Sequence, residues 1–411
     1  MICKNKSRYL IFVLTFCLLF TGIFLINNSY QKNNRSNVIF AFSSSILLDI
    51  TDDLSDEIDS QLGLLDDDFD DILGELGESE KSVFKNESFF EKIKKIIAGK
   101  EAFSFLQIMS LFGTLLVDNI SGIVPILALI CEVAIVSSLL LKLRGKSLNK
   151  PLGDIIHFAC FAVIVVTVLT FVLQLVKITS GTLNSLKNQM EISFPILLTL
   201  MASLGAGASV SIYQPLIAIL SGAIMWIFSN VLLPIFSLSI IFGIVGNLSS
   251  SVKLTRFNKF LQSLFKYIIG FTFTIFLAFI AVSGIAVGSF DGVSIKATKF
   301  AIKSYVPFVG NYLSDGFSLI LASSVLIKNA VGYSGLVVMF LTIISPLLKI
   351  VLCKLGLFLV SGIIESVADE RVTNFVSNTG KSLTMLSSII IAFSFAYLIC
   401  VGLIMCSANI I

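Results

Sequence analysis

From residue 103 onward the chain is a succession of apolar runs separated by short connections. Runs long enough for a hydrocarbon core of about 30 Å occupy approximately 120–141, 154–177, 216–247, 267–289, 333–362 and 383–406. Each is predicted to be a transmembrane helix. Residues 103–117 are apolar but short, and read as an interfacial helix leading into the first span. Upstream, Leu47, Ile50, Leu54, Ile58, Leu62, Leu65, Phe69, Ile72 and Leu76 recur at spacings of three and four. That spacing draws one apolar stripe down a helix whose other faces carry Asp and Glu. At the start, Lys4, Lys6 and Arg8 precede the apolar run 9–26, the pattern of a secretory signal or of a retained anchor. Small residues Ala41 and Ser43 offer a cleavage site farther downstream than usual. Either reading exports the acidic segment. Three regions result: 1–42, signal peptide or N-terminal anchor with linker; 43–101, an acidic amphipathic helical extracytoplasmic segment; and 102–411, a polytopic transmembrane domain.

Composition agrees with an all-α polytopic membrane protein. With 56% hydrophobic and 13% charged residues and a mean hydropathy of +0.96, a water-soluble globule with a polar surface is excluded. The net charge of +3 conceals an asymmetry, because residues 43–101 hold 17 of the 26 acidic side chains and only 6 of the 29 basic ones. An acidic head thus precedes a basic membrane body. The seven cysteines all lie in or beside apolar runs, which argues against a disulfide framework or a thiolate metal site. His157 is the only histidine and lacks a second imidazole for a zinc or haem site, so it reads as structural. The run Gly205-Ala206-Gly207 lacks the Lys-Ser/Thr of a phosphate loop. No nucleophile with a base is apparent either. No enzyme activity, metal or cofactor is expected.

One apolar stretch differs from the rest. SFPILLTLMASLGAGASVSIYQPL opens on Pro195, breaks at Gly205 and Gly207, and closes at Pro215. It is too short and interrupted for an ordinary span, and irregular backbone at bilayer depth is tolerated only where protein or a water-filled cavity satisfies it. The expectation is a broken, re-entrant element beside a pathway. Basic residues are retained on the cytoplasmic side, so Lys142, Arg144, Lys146 and Lys150 mark one cytoplasmic loop, and Lys253, Arg256, Lys259 and Lys266 mark another. A single crossing between these loops requires that the Pro195–Pro215 segment re-enter without crossing. By the same logic Tyr305–Ile327, with Pro307 and Gly310, is a second re-entrant element, and the C-terminus is outside. Pro195 and Pro307 are 112 residues apart, as are Pro234 and Pro346. That interval suggests internal repeats of about 112 residues, although residue identities between the units are few and coincidence of spacing accounts for it equally well.

Three ionisable groups fall inside spans. Glu132 lies mid-way along the first, where an ionised carboxylate is costly and usually faces a bundle interior or cavity. It reads as a polar lining group, as a partner for Lys349 or Lys354, or as a protonated group at a helix interface. Lys349 and Lys354 follow Pro346 and either snorkel toward headgroups or line a polar conduit. Asp315 and Lys328 flank the second broken segment and fit the membrane interface.

The stretch FPILLTLMASLGAGASVSIYQPL, then KATKFAIKSYVPFVGNYLSDGFSLILASSVLIKNAVGYSGL, then SPLLKIVLCKLGLFLVSGIIESVADERV, closely resembles the stage III sporulation protein AE family of endospore-forming bacteria. The likeness runs through about 105–406, with 296–335 the most specific block. It implies a multi-pass subunit of the mother cell to forespore channel complex, in the mother-cell membrane surrounding the forespore, needed for forespore development. It also implies partners: other membrane and ring-forming proteins of that complex and a cytoplasmic secretion-type ATPase. The family offers no catalytic residues. A homo-oligomer is compatible with this, and no nucleic-acid partner is expected. Two other readings stay open, an autonomous secondary transporter for a small solute and a structural membrane scaffold.

Overall fold

The structure is a computed structural model and describes residues 74, 81, 105–147, 150–248, 254–305, 310–366 and 370–407. The chain divides into two units, Met1–Asp59 and Ser60–Ile411, and every described residue belongs to the second. The signal-like run, the acidic stripe apart from Gly74 and Lys81, and Pro307 lie outside the described residues.

Among the described residues the chain is helical with short turns between. The elements are α1 (Phe105–Ser147), α2 (Lys150–Ser203), α3 (Gly207–Ala218), α4 (Met225–Ile227), α5 (Leu233–Leu248), α6 (Thr255–Tyr305), α7 (Gly310–Glu365) and α8 (Glu370–Cys406). Two π-helical stretches, Ile219–Ile224 and Phe228–Leu232, join α3, α4 and α5 into one continuous rod. Six helical runs are long and apolar enough to cross a membrane: Met109–Leu139, Phe158–Ser203, Ser209–Gly246, Arg256–Val282, Ser324–Glu365 and Glu370–Cys406. They coincide with the six expected spans, and the chain is a polytopic all-α membrane protein.

The runs are longer than the sequence suggests. α2 has 54 residues, about 80 Å at 1.5 Å per residue, well beyond one hydrocarbon thickness. It holds together because its polar groups are satisfied locally. Thr179 donates to the Leu175 carbonyl (2.9 Å), Thr182 to Ile178 (2.9 Å) and Thr199 to Pro195 (2.9 Å), so hydroxyls in an apolar helix need no outside partner. Prolines are absorbed likewise. Pro125, Pro195, Pro215 and Pro346 all sit inside helices. The widened π turns fall between Pro215 and Pro234, where missing N–H groups and ring clashes disturb the i to i−4 ladder. There the Asn230 side-chain amide donates to the Trp226 carbonyl at 3.2 Å.

Basic residues expected in the second cytoplasmic loop are instead on α6, which starts at Thr255 and carries Lys259 and Lys266. α5 and the start of α6 are held together by Ser239 donating to Asn258 (2.5 Å) and by Phe242 edge-on against Phe257 at 4.7 Å. The second re-entrant element is also simpler than expected, because α7 runs unbroken from Gly310 through Ile327 to Glu365. One pattern recurs along the chain, in which a long helix, α2 or α6, precedes a long proline-bearing rod. Its boundaries recur at 102–105 residues (Lys150 and Thr255, Ser203 and Tyr305, Gly207 and Gly310), so the 112-residue proline spacing does not superpose the two units.

α8 and α7 form the centre of the bundle. The most apolar window of α8 is 61% buried, against 17% for α6 and 22% for α1, which are peripheral. Phe194 meets Tyr397 (5.5 Å), Phe228 meets Phe393 (5.9 Å) and Phe161 meets Phe375 (5.9 Å), fastening α2 and the π-helical rod to α8. α7 and α8 pack closely at Gly380, where a Cβ would stand 3.4 Å from Leu357 Cβ and 3.5 Å from the Lys354 carbonyl.

Candidate functional site

The Pro195–Pro215 stretch is a helical hairpin whose only break is Leu204–Ala206. Gly205 adopts φ 79°, the left-handed conformation that an L side chain resists. Its N–H donates to the Ala202 carbonyl at 2.9 Å, and the Ala206 N–H reaches back to the Met201 carbonyl at 3.1 Å. These two bonds make a Schellman closure with Gly205 at the position after the cap. Pro195 and Pro215 therefore do not bound an irregular segment, and the turn satisfies its own carbonyls without requiring a cavity. Pro195, Gly205, Gly207 and Pro215 are all exposed. Whatever they line is formed with another molecule and not inside this bundle. Gly310 begins α7, while Pro307 lies outside the described residues.

Below the turn, the exposed face of α2 is polar. Gln174, Lys177, Gly181, Asn184, Asn188, Glu191, Thr199 and Ser203 follow at spacings of three to eight residues along one side, and Lys187 pairs with Glu191 at 3.3 Å. The opposite side carries the buried Leu183, Leu186, Met190, Phe194, Leu197 and Met201. The sequence held this signal, and an apolar reading of the segment as a whole obscured it.

The intramembrane charges are distributed differently from expectation. Glu132 is exposed on the outer face of α1, and it forms no ion pair with Lys349 or Lys354, which are half-buried on α7. α1 packs on α7 through Leu127 against Gly356, one and a half turns from Glu132. Lys328, by contrast, is fully buried and donates to the Ser407 carbonyl, tying α7 to the end of α8. It is therefore a core residue and not the interfacial one that its place in the sequence suggests.

Lys328 ends a buried polar seam between α2, α7 and α8. At its other end Gln189 donates to Thr342 at 2.6 Å. Between them, Ser193, Gly335 and Tyr397 converge: a Cβ at Gly335 would lie 3.7 Å from the Tyr397 hydroxyl and 3.8 Å from Ser193 Oγ. Ser407 Oγ approaches Met201 Sδ at 3.6 Å. From Gln189 to Met201 the seam rises about 18 Å. Gln189 Oε1, Ser334 Oγ and Asn329 Oδ1 are buried without a hydrogen-bond partner, although such atoms are usually satisfied, and the Tyr397 hydroxyl is buried beside Ser193 without a well-formed bond. Among the described residues no cluster of His, Cys, Asp and Glu could hold a metal.

Comparison with known proteins decides the family. The model of the stage III sporulation protein AE family matches residues 88–408, which include every described helix. The chain belongs to that family. A curated relative, stage III sporulation protein AE of Bacillus subtilis (strain 168), is 24% identical over 215 residues, covering 52% of this chain and 54% of the relative. The chain thus spans about half the length of the curated relative it matches. No solved structure matches. Family membership supports a role in sporulation, and the hairpin, the polar face of α2 and the seam all lie within the region that the family model matches.

Proposed function

We propose that this protein is an integral membrane subunit of the channel complex between mother cell and forespore, in the mother-cell membrane, acting as conduit or assembly platform for forespore development. The observation that carries the reading is the polar face of α2. It runs from Gln174 to Ser203 on a helix whose other side is built into the bundle, and it continues over the turn to Ser211 and Gln214 on α3. Its hydroxyls are satisfied on their own helices and Glu191 by Lys187, but against lipid such a surface would still lose the hydration of Gln174, Lys177 and Asn184. It needs water or a protein partner. In a channel complex both are available, the water of a passage between subunits and the ring-forming and ATPase components expected from family membership. A platform reading draws separate support from the Schellman turn, which closes the hairpin without help from a cavity.

Single cysteines at Gln174, Asn184, Thr199 and Gln214, in a cysteine-free chain, are to be exposed to a membrane-impermeant thiol reagent in sporulating cells. Labelling along the whole series, with protection at the outward apolar Val166 and Leu173, is the expected result for a water-lined face. If the series is protected in cells that make the complex and becomes labelled when the other complex components are deleted, the face is a platform. Protection of the series in both backgrounds would overturn both forms of the proposal.

A further inference from the structure

We infer that Glu132 on α1 of one copy pairs with Lys266 on α6 of a second copy, so that the protein assembles head to tail through these two peripheral helices. The inference is independent of whether anything passes through the subunit.

Each residue is an anomaly on its own surface. Glu132 is exposed among the outward apolar Leu129, Ile135, Val136 and Leu139. A carboxylate facing hydrocarbon is costly and is ordinarily found paired. The bundle supplies no ion pair for it among the described residues. Lys266 is exposed on α6 and lies at the edge of a shallow groove between α6 and the π-helical rod, lined also by Ile227, Val231, Tyr267, Phe271 and Thr272. Such a groove accepts the ridge of an apolar helix.

Both charges also lie in the half of their helix that ends in basic residues. Glu132 is ten residues from Lys142 along α1, and Lys266 is ten residues from Arg256 along α6, each about 15 Å from the basic rim that marks the cytoplasmic side. α1 and α6 border different neighbours, α1 contacting α2 and α7, and α6 contacting α3, α5, α7 and α8. Two copies in the same membrane orientation thus bring the Glu132 ridge of one to the Lys266 groove of the next. A twofold contact through α1 alone would oppose two carboxylates. The heterologous contact pairs opposite signs and propagates toward a closed ring.

Two full-length tagged copies, both cysteine-free because native Cys131 adjoins the site, carry Glu132→Cys and Lys266→Cys respectively. Co-expressed in sporulating cells and oxidised, they are expected to form a mixed disulfide dimer, whereas either alone remains monomeric under the same treatment. In parallel, Glu132→Lys and Lys266→Glu are each expected to lower the oligomeric fraction about tenfold or more, and the double charge exchange to restore it to within about threefold of wild type. Absence of the mixed dimer in membrane-inserted protein overturns the inference. So does cross-linking of position 132 only to a different protein, or a double exchange no better than the single variants.

Discussion

Gly205 offers a test that separates backbone geometry from passage. Its φ of 79° costs an L residue about 1–2 kcal/mol, and its exposed position means that a methyl group adds no further burial. Gly205→Ala should therefore destabilise by about 1–2 kcal/mol, and Gly205→Asn by less, since Asn tolerates the left-handed region. Two residues on, Gly207 has no positive φ and no atom within 4 Å of an added Cβ. Gly207→Ala should be neutral or stabilising by up to about 1 kcal/mol. Unfolding of the purified protein in mixed micelles, followed by circular dichroism against denaturing-detergent fraction, measures both. Equal effects at the two glycines, or a neutral Gly205→Ala, would refute the Schellman assignment. The contrast also decides which variant is informative in cells. A bulky residue at Gly205 fails for backbone reasons whatever the site does, whereas Gly207→Leu leaves the turn intact, so a sporulation defect there reports contact or passage at the hairpin's outer face.

Three further outcomes are expected from packing and polar satisfaction, each read by the same unfolding measurement. Gly356→Ala drives a methyl group into the Leu127 side chain and should cost about 1–3 kcal/mol; combined with Leu127→Ala it should cost less than the two single changes together. Tyr397→Phe removes a buried hydroxyl that sits beside Ser193 without a well-formed hydrogen bond, so stability should fall by no more than about 1 kcal/mol, and a larger loss would show that the bond to Ser193 is formed. Thr342→Val strands the Gln189 amide that donates to it at 2.6 Å and should cost about 1–3 kcal/mol, whereas changing both residues to apolar ones of similar shape should cost less than Thr342→Val alone.

The number of spans was legible because an apolar run of some twenty residues leaves the backbone no alternative to helix in lipid. The ends were not. Arg256 and Lys259 read as loop because basic residues mark the cytoplasmic rim, yet a helix extends into that rim without penalty when its basic side chains reach water or headgroups. Pro195 and Pro215 read as boundaries because proline breaks soluble helices, but in this chain neighbouring turns absorb the loss, as the π-helical stretches after Pro215 illustrate. Gly205 was the true punctuation, and its neighbours had the small side chains that a tight closure needs. The two-unit architecture was visible as a spacing of prolines, although the helix boundaries recur at a shorter interval.

Which way a charge faces was the least legible property. The sequence pattern suggests for Lys328 and for Glu132 the opposite of the environment each occupies, and the reason is physical. In a soluble protein an apolar stripe identifies the buried face, but lipid is as apolar as a helix interface, so periodicity in α1 or α7 carries little information about inside and outside. Only polar residues carry a direction, and each has two ways to be satisfied. Lys328 is satisfied inward, on the terminal carbonyl of α8. Glu132 forms no ion pair within the bundle among the described residues, and the exposed face of α2 is satisfied only in part, through Lys187 with Glu191 and Thr199 on the Pro195 carbonyl. An isolated subunit in lipid would hold those groups against hydrocarbon, which is the arrangement that insertion energetics select against most strongly. The folded bundle therefore leaves polar requirements on its exposed surface as well as in the buried seam, and if the proposed contacts meet the exposed ones, the subunit's stability in the membrane and its assembly are coupled quantities.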